Sequence, residues 1–135
     1  MLAVKDVYEK KFESVPLETT MREVAGIMAS KKTGHILVKN ASGELIGIVT
    51  ESDFVRKVTA MDLVPYVTKV SDVMSSPLID IDINANTSQA QELMDRHRVL
   101  HLAVRDDGNV VGMVSVRDLI HDFESPENGG KYWAG

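Results

Sequence analysis

Two stretches of this chain carry the same polar pair at the same spacing. In "GIVTESDF", Gly47 to Phe54, the hydroxyl of Thr50 is followed three residues on by the carboxylate of Asp53; in "GMVSVRDL", Gly112 to Leu119, Ser115 and Asp118 repeat the arrangement. At a helix start such a pair forms a capping box: the hydroxyl accepts from a first-turn amide and the carboxylate reaches back to the cap amide. The same junction presents amides, the positive end of a helix dipole, a hydroxyl and an ionised carboxylate, which suits a polar ligand. On local sequence alone the capping reading is sufficient for each copy, whereas two copies related by a twofold axis make a pair of matching clefts.

Other constellations fail on spacing. His97 and His101 stand at i and i+4, but His97 is expected to end a helix and His101 to start a strand, which removes the continuous helix a zinc pair needs. His35 and His101 occupy equivalent places and are expected to hold hairpin starts or line a ligand cleft. "DIDIN", Asp80 to Asn84, imitates a calcium loop, but its sixth position is Ala85 and its twelfth Gln91. No Gly-rich phosphate loop, nucleophile elbow or paired carboxylates with a partner occur, so no enzyme, metal or required cofactor is expected. Lys31, Lys32, Arg96 and Arg98 fall at helix C-termini, where a cation gains ~0.3–1 kcal/mol from the dipole.

The elements that position the two motifs emerge from a repeat. "VKDV" at Val4 returns as "VSDV" at Val70, and "HILV" at His35 as "HLAV" at His101, with one deletion in the turn that follows. Thr20-x-x-Glu23 and Asn86-x-x-Gln89 are capping boxes. The helices after them put Val24, Ile27 and Met28, or Ala90, Leu93 and Met94, on one face. Hairpins with turns at Gly43 and Gly108 lead into the opening motifs, second helices begin at Ser52 or Val116, and short strands precede the first helices, at "FESV" from Phe12 and "PLIDIDI" from Pro77. Met28, Met94 and Met113 fall on expected core positions. The expected fold is α/β (α+β): two β-α-β-β-α units, neither with much core alone, packed about a pseudo-twofold axis. Repeat 1 is assigned 4–69, with Val58 to Lys69 as a connecting helical region, repeat 2 is assigned 70–124, and 125–135, with Tyr132 and Trp133, a flexible tail.

Composition bounds the function classes. The chain has 135 residues, 44% hydrophobic and 26% charged, with a net charge of −5 and no cysteine. Disulfides and thiolate catalysis are excluded, and broad phosphate neutralisation on nucleic acid is disfavoured. No apolar run reaches the ~18 residues of a membrane span, and no export signal is visible, so a cytoplasmic location without membrane or nucleic-acid partners is expected.

Taken in order and twice over, "KVSDVMSSPLIDID", the two hairpins and the two glycine-apolar-hydroxyl-x-x-Asp motifs resemble the CBS domain, arranged as a tandem pair or Bateman module, over about Val4 to Glu124. The resemblance implies a stand-alone CBS-pair regulatory protein, commonly a homodimer, whose clefts between repeats bind AMP, ADP, ATP or S-adenosylmethionine and report occupancy to a regulated protein. It implies that Asp53 and Asp118 accept from ribose hydroxyls and that Thr50 and Ser115 bind the first phosphate or ribose. Adenine would be read by backbone near His35-Ile36 and His101-Leu102, with Leu78-Ile79 as the other wall of the second cleft and Arg56 or Arg117 toward phosphates. The cleft holding Ser115 and Asp118 is favoured, because Phe12-Glu13 replaces Leu78-Ile79 in the first. The alternative is a structural or dimerisation module with empty clefts and motifs that only cap helices.

Overall fold

The computed structural model describes residues 2–120. The chain divides into two compact units, one spanning Phe12–Ile79, the other gathering the chain up to Lys11 with the chain from Asp80 onward.

In the Phe12–Ile79 unit, β1 (Ser14–Pro16) leads to α1 (Met21–Lys31), then β2 (His35–Lys39), β3 (Leu45–Thr50) and a short α2 (Glu51–Asp53). The Glu23 amide donates to Thr20 Oγ1 at 3.2 Å and the Thr20 amide donates to Glu23 Oε1 at 3.1 Å, so the expected capping box starts α1. The helix stops where Lys32 takes a left-handed φ of 54°. Its buried face, Met21, Val24 and Met28, packs with Val15, Ile36, Val38 and Val49 of the sheet. Each such side chain contributes ~1.5–3 kcal/mol when fully buried. The sheet order is β1-β2-β3, parallel across β1 and β2 and antiparallel across the hairpin, whose turn places Gly43 at φ 84°.

The second unit repeats the plan with β4 (Asp80–Asp82), α3 (Thr87–His97), β5 (His101–Asp106), β6 (Asn109–Ser115) and α4 (Val116–Ile120). Asn86 and Gln89 exchange the same pair of bonds, 2.8 and 2.9 Å. Arg98 ends α3 in a left-handed cap at φ 55°, and Gly108, at φ 83°, makes the turn that is one residue shorter. Met94 and Met113 are buried as expected. Among the described residues no helix is long and apolar enough to cross a membrane.

The segments "VKDV" and "VSDV" form matching 3-10 turns, Val4–Asp6 and Val70–Asp72, with Val4 and Val70 fully buried. Each serves the repeat that does not follow it in sequence. The Val70 amide donates to Thr19 O at 2.7 Å, and Ser75 and Ile48 exchange amide-to-carbonyl bonds of 2.9 and 3.0 Å. In the other unit the Val4 amide donates to Ala85 O at 2.8 Å, and Glu9 and Met113 exchange bonds of 2.8 and 2.9 Å. The segment after each 3-10 turn thus crosses a hairpin one residue beyond the motif glycine. A Cβ on Gly47 would meet Met74 Sδ at 2.7 Å and Ser75 O at 3.0 Å, while one on Gly112 would run into Glu9 O and the Tyr8 ring.

The stretch from Val58 to Lys69 is not the expected connecting helix. After Asp53 the chain widens into a π-helix, Phe54–Thr59, and residues 60–69 are turns and irregular backbone ending in a bridge from Lys69 to Thr20. Asp62 takes a left-handed φ of 55°, and Pro65 supplies no amide and disfavours helical backbone at Val64, so an α-helix cannot propagate through this stretch. The tail at 125–135, with Tyr132 and Trp133, lies outside the described residues.

Candidate functional site

Each opening motif sits where the last strand of a hairpin turns into a helix. Thr50 ends β3 directly opposite His35 at the start of β2, and Ser115 ends β6 opposite His101 at the start of β5. Opposed residues of an antiparallel pair project from one face, so each hydroxyl shares a face with its histidine. The junctions are closed alike: the Glu51 amide donates to Gly34 O and the Val116 amide to Leu100 O, both at 3.0 Å.

The carboxylates do the work expected of capping boxes. Asp53 Oδ2 accepts from the Thr50 amide at 2.8 Å, and Asp118 Oδ2 accepts from the Ser115 amide at 2.8 Å. In the second copy the Asp118 amide also donates to Ser115 Oγ at 3.3 Å, completing the reciprocal pair. The two sites differ in the remaining carboxylate oxygen. Asp53 Oδ1 lies 3.2 Å from Lys57 Nζ, which also donates to Val73 O at 2.8 Å. Asp53 is thereby paired and buried, whereas Asp118 is only partly buried. Among the described residues no cation pairs with Asp118, and the residue matching Lys57 is Asp122.

The other expected site residues fall as follows. Ile36 belongs to the core of its unit and Leu102 is fully buried, so the side chains of both serve packing, and what they can offer a ligand is backbone. Leu78 is buried and Ile79 partly so; both belong to the Phe12–Ile79 unit, while His101, Leu102, Ser115 and Asp118 belong to the other. Arg56 and Arg117 are exposed on the helices that follow the motifs. Sequence reasoning passed over Lys57, although Asp53-x-x-x-Lys57 is the acid-before-base i,i+4 spacing that pairs on a helix.

A family model described as the CBS domain matches residues 4–60 and again 70–125. The chain belongs to the CBS-domain family. This CBS pair is 32% identical over 130 residues to the CBS domain-containing protein YhcV of Bacillus subtilis, covering 96% of this chain and 91% of that one. Its fold is similar to that of an uncharacterized conserved protein from Pyrococcus horikoshii, with a TM-score of 0.83 and 27% identity over 92% of this chain and 93% of the other. It is similar also to the CBS domain protein PAE2072 from Pyrobaculum aerophilum, which is complexed with AMP, with a TM-score of 0.78 and 25% identity over 87% and 89% of the two chains. The chain is a CBS-pair regulatory module. The two β-α-β-β-α repeats expected from the sequence are those of the family, and the helix-capping boxes are built into both.

Proposed function

We propose that this CBS pair binds an adenine nucleotide and passes its occupancy to a regulated partner protein, working as a homodimer. The observation that carries the reading is the Ser115–Asp118 junction, where among the described residues a carboxylate oxygen has no cation, on a fold shared with an AMP-complexed relative. The ribose diol donates to Asp118, Ser115 takes the first phosphate or ribose, and backbone at His101 and Leu102 reads the adenine edge. Arg117 faces phosphate. Thr50, Asp53, His35, Ile36 and Arg56 occupy the corresponding positions in the first repeat. AMP, ADP, ATP and S-adenosylmethionine share the adenosine this chemistry recognises. To signal, the nucleotide must prefer one arrangement of the protein over another.

Thermal unfolding with each of AMP, ADP, ATP, NAD and S-adenosylmethionine at millimolar concentration tests the reading. A ligand at 100 times its dissociation constant adds ~2.7 kcal/mol and raises the midpoint visibly. Asp118→Asn is expected to abolish that rise. If no nucleotide moves the wild-type midpoint, the motifs are capping boxes alone and the module is structural.

A further inference from the structure

The two motifs spend their carboxylates differently. A ribose offers two adjacent hydroxyl donors and needs an acceptor carboxylate it can reach. In the first motif Oδ2 of Asp53 is held by the Thr50 amide and Oδ1 faces Lys57 Nζ, leaving the side chain 12% exposed. Lys57 is anchored in turn, because its ammonium donates to the main-chain carbonyl of Val73, on the segment that crosses this hairpin. A diol approaching Asp53 Oδ1 meets an ammonium held at two points, on a carboxylate whose other oxygen already caps the helix, so binding there competes with contacts the protein makes to itself. Sixty-five residues on, the corresponding position is Asp122, which cannot neutralise Asp118 and adds negative charge to the local sequence.

We infer that Lys57 is an internal cation that closes the first motif, so that the chain takes one nucleotide, at Asp118, and Lys57 sets that stoichiometry. The inference rests on the nucleotide reading above. It assigns distinct roles to two motifs of matching local sequence: the first fastens its helix to the crossing segment, and the second receives the ligand.

The test is the stoichiometry of AMP binding to the full chain by titration calorimetry, with circular dichroism to establish that each variant is folded. Wild type is expected to bind one equivalent per chain, and Lys57→Arg, which keeps the cation, to do the same. Lys57→Met is expected to bind a second, weaker equivalent, and Lys57→Gln is the alternative should the methionine variant fail to fold. Asp118→Asn is expected to lose the wild-type equivalent. Two equivalents on wild type, or a single equivalent on the folded Lys57→Met or Lys57→Gln chain, overturns the inference and leaves the nucleotide reading intact. No binding by wild type or any variant overturns both.

Discussion

Gly112→Ala separates two explanations of the glycine that opens each motif, close approach of a ligand and close approach of the chain's own backbone. The added Cβ would strike the carbonyl oxygen of Glu9 and the Tyr8 ring, whose nearest atoms stand 2.7 and 2.8 Å away. The aromatic ring can rotate away, but the carbonyl is fixed by the bond it accepts from the Met113 amide at 2.9 Å, which is matched by the reverse bond from Glu9 at 2.8 Å. Overpacking of this kind costs ~1–3 kcal/mol. Separating the crossing segment forfeits two hydrogen bonds of ~0.5–1.5 kcal/mol each. The expected loss is therefore about 2–6 kcal/mol, a large part of the ~5–15 kcal/mol that holds a domain together. Gly47→Ala should cost about half as much, because its closest contact is the flexible end of Met74 and the Ser75 carbonyl is only marginally tight. Urea unfolding without ligand, read as a fall in Cm at constant m, measures both. A Gly112→Ala chain within ~0.5 kcal/mol of wild type, or one more stable than Gly47→Ala, would refute the crossing-segment explanation.

Two further outcomes follow from the helix α1. Gly26 lies exposed in its interior with nothing within 4 Å of a built Cβ, so Gly26→Ala should raise stability by ~0.5–1 kcal/mol, seen as a higher Cm. Glu23, whose carboxyl is held below its ordinary 4.5 by the Thr20 amide and then the Thr20 hydroxyl, should make the helix acid-sensitive. A depressed pKa stabilises the fold above the unfolded value and loses that contribution as pH falls through the folded one. Glu23→Gln keeps the box without the charge, so its stability gap from wild type should narrow from pH 6 to pH 3 in a series of unfolding curves; a gap that widens would contradict the sign.

What was legible in the sequence was what is encoded locally or by period. Thr20 and Glu23, Asn86 and Gln89, and the buried Val24, Met28, Ala90 and Met94 follow from spacings of three and four residues, and structure and sequence agree on them. The repeat also located both hairpins and the junctions that carry Thr50 and Ser115. Nonlocal placement was illegible: "VKDV" and "VSDV" match each other so well that nothing in either shows that it completes the other repeat. That exchange explains Gly47 and Gly112, which local sequence could describe but not account for. The expected helix from Val58 failed for a different reason. Its apolar residues are plentiful, yet Val55, Met61, Leu63, Val64, Tyr66 and Val67 are exposed, and the left-handed Asp62 with Pro65 interrupts the hydrogen-bond ladder that periodicity assumes.

The same limit applies to the site. Hydroxyl-x-x-Asp specifies which amide a carboxylate will cap, and in both copies it does so at 2.8 Å. It does not specify the second oxygen. In the first repeat that oxygen is taken four residues on by Lys57, whose ammonium the Val73 carbonyl also holds, whereas the matching sequence position in the second repeat is Asp122. Capping and ligand binding are therefore not rival readings of one motif. Capping uses one oxygen and orients the carboxylate; on the proposal above, the charge four residues on determines whether the other oxygen is spent within the protein or offered to a ribose.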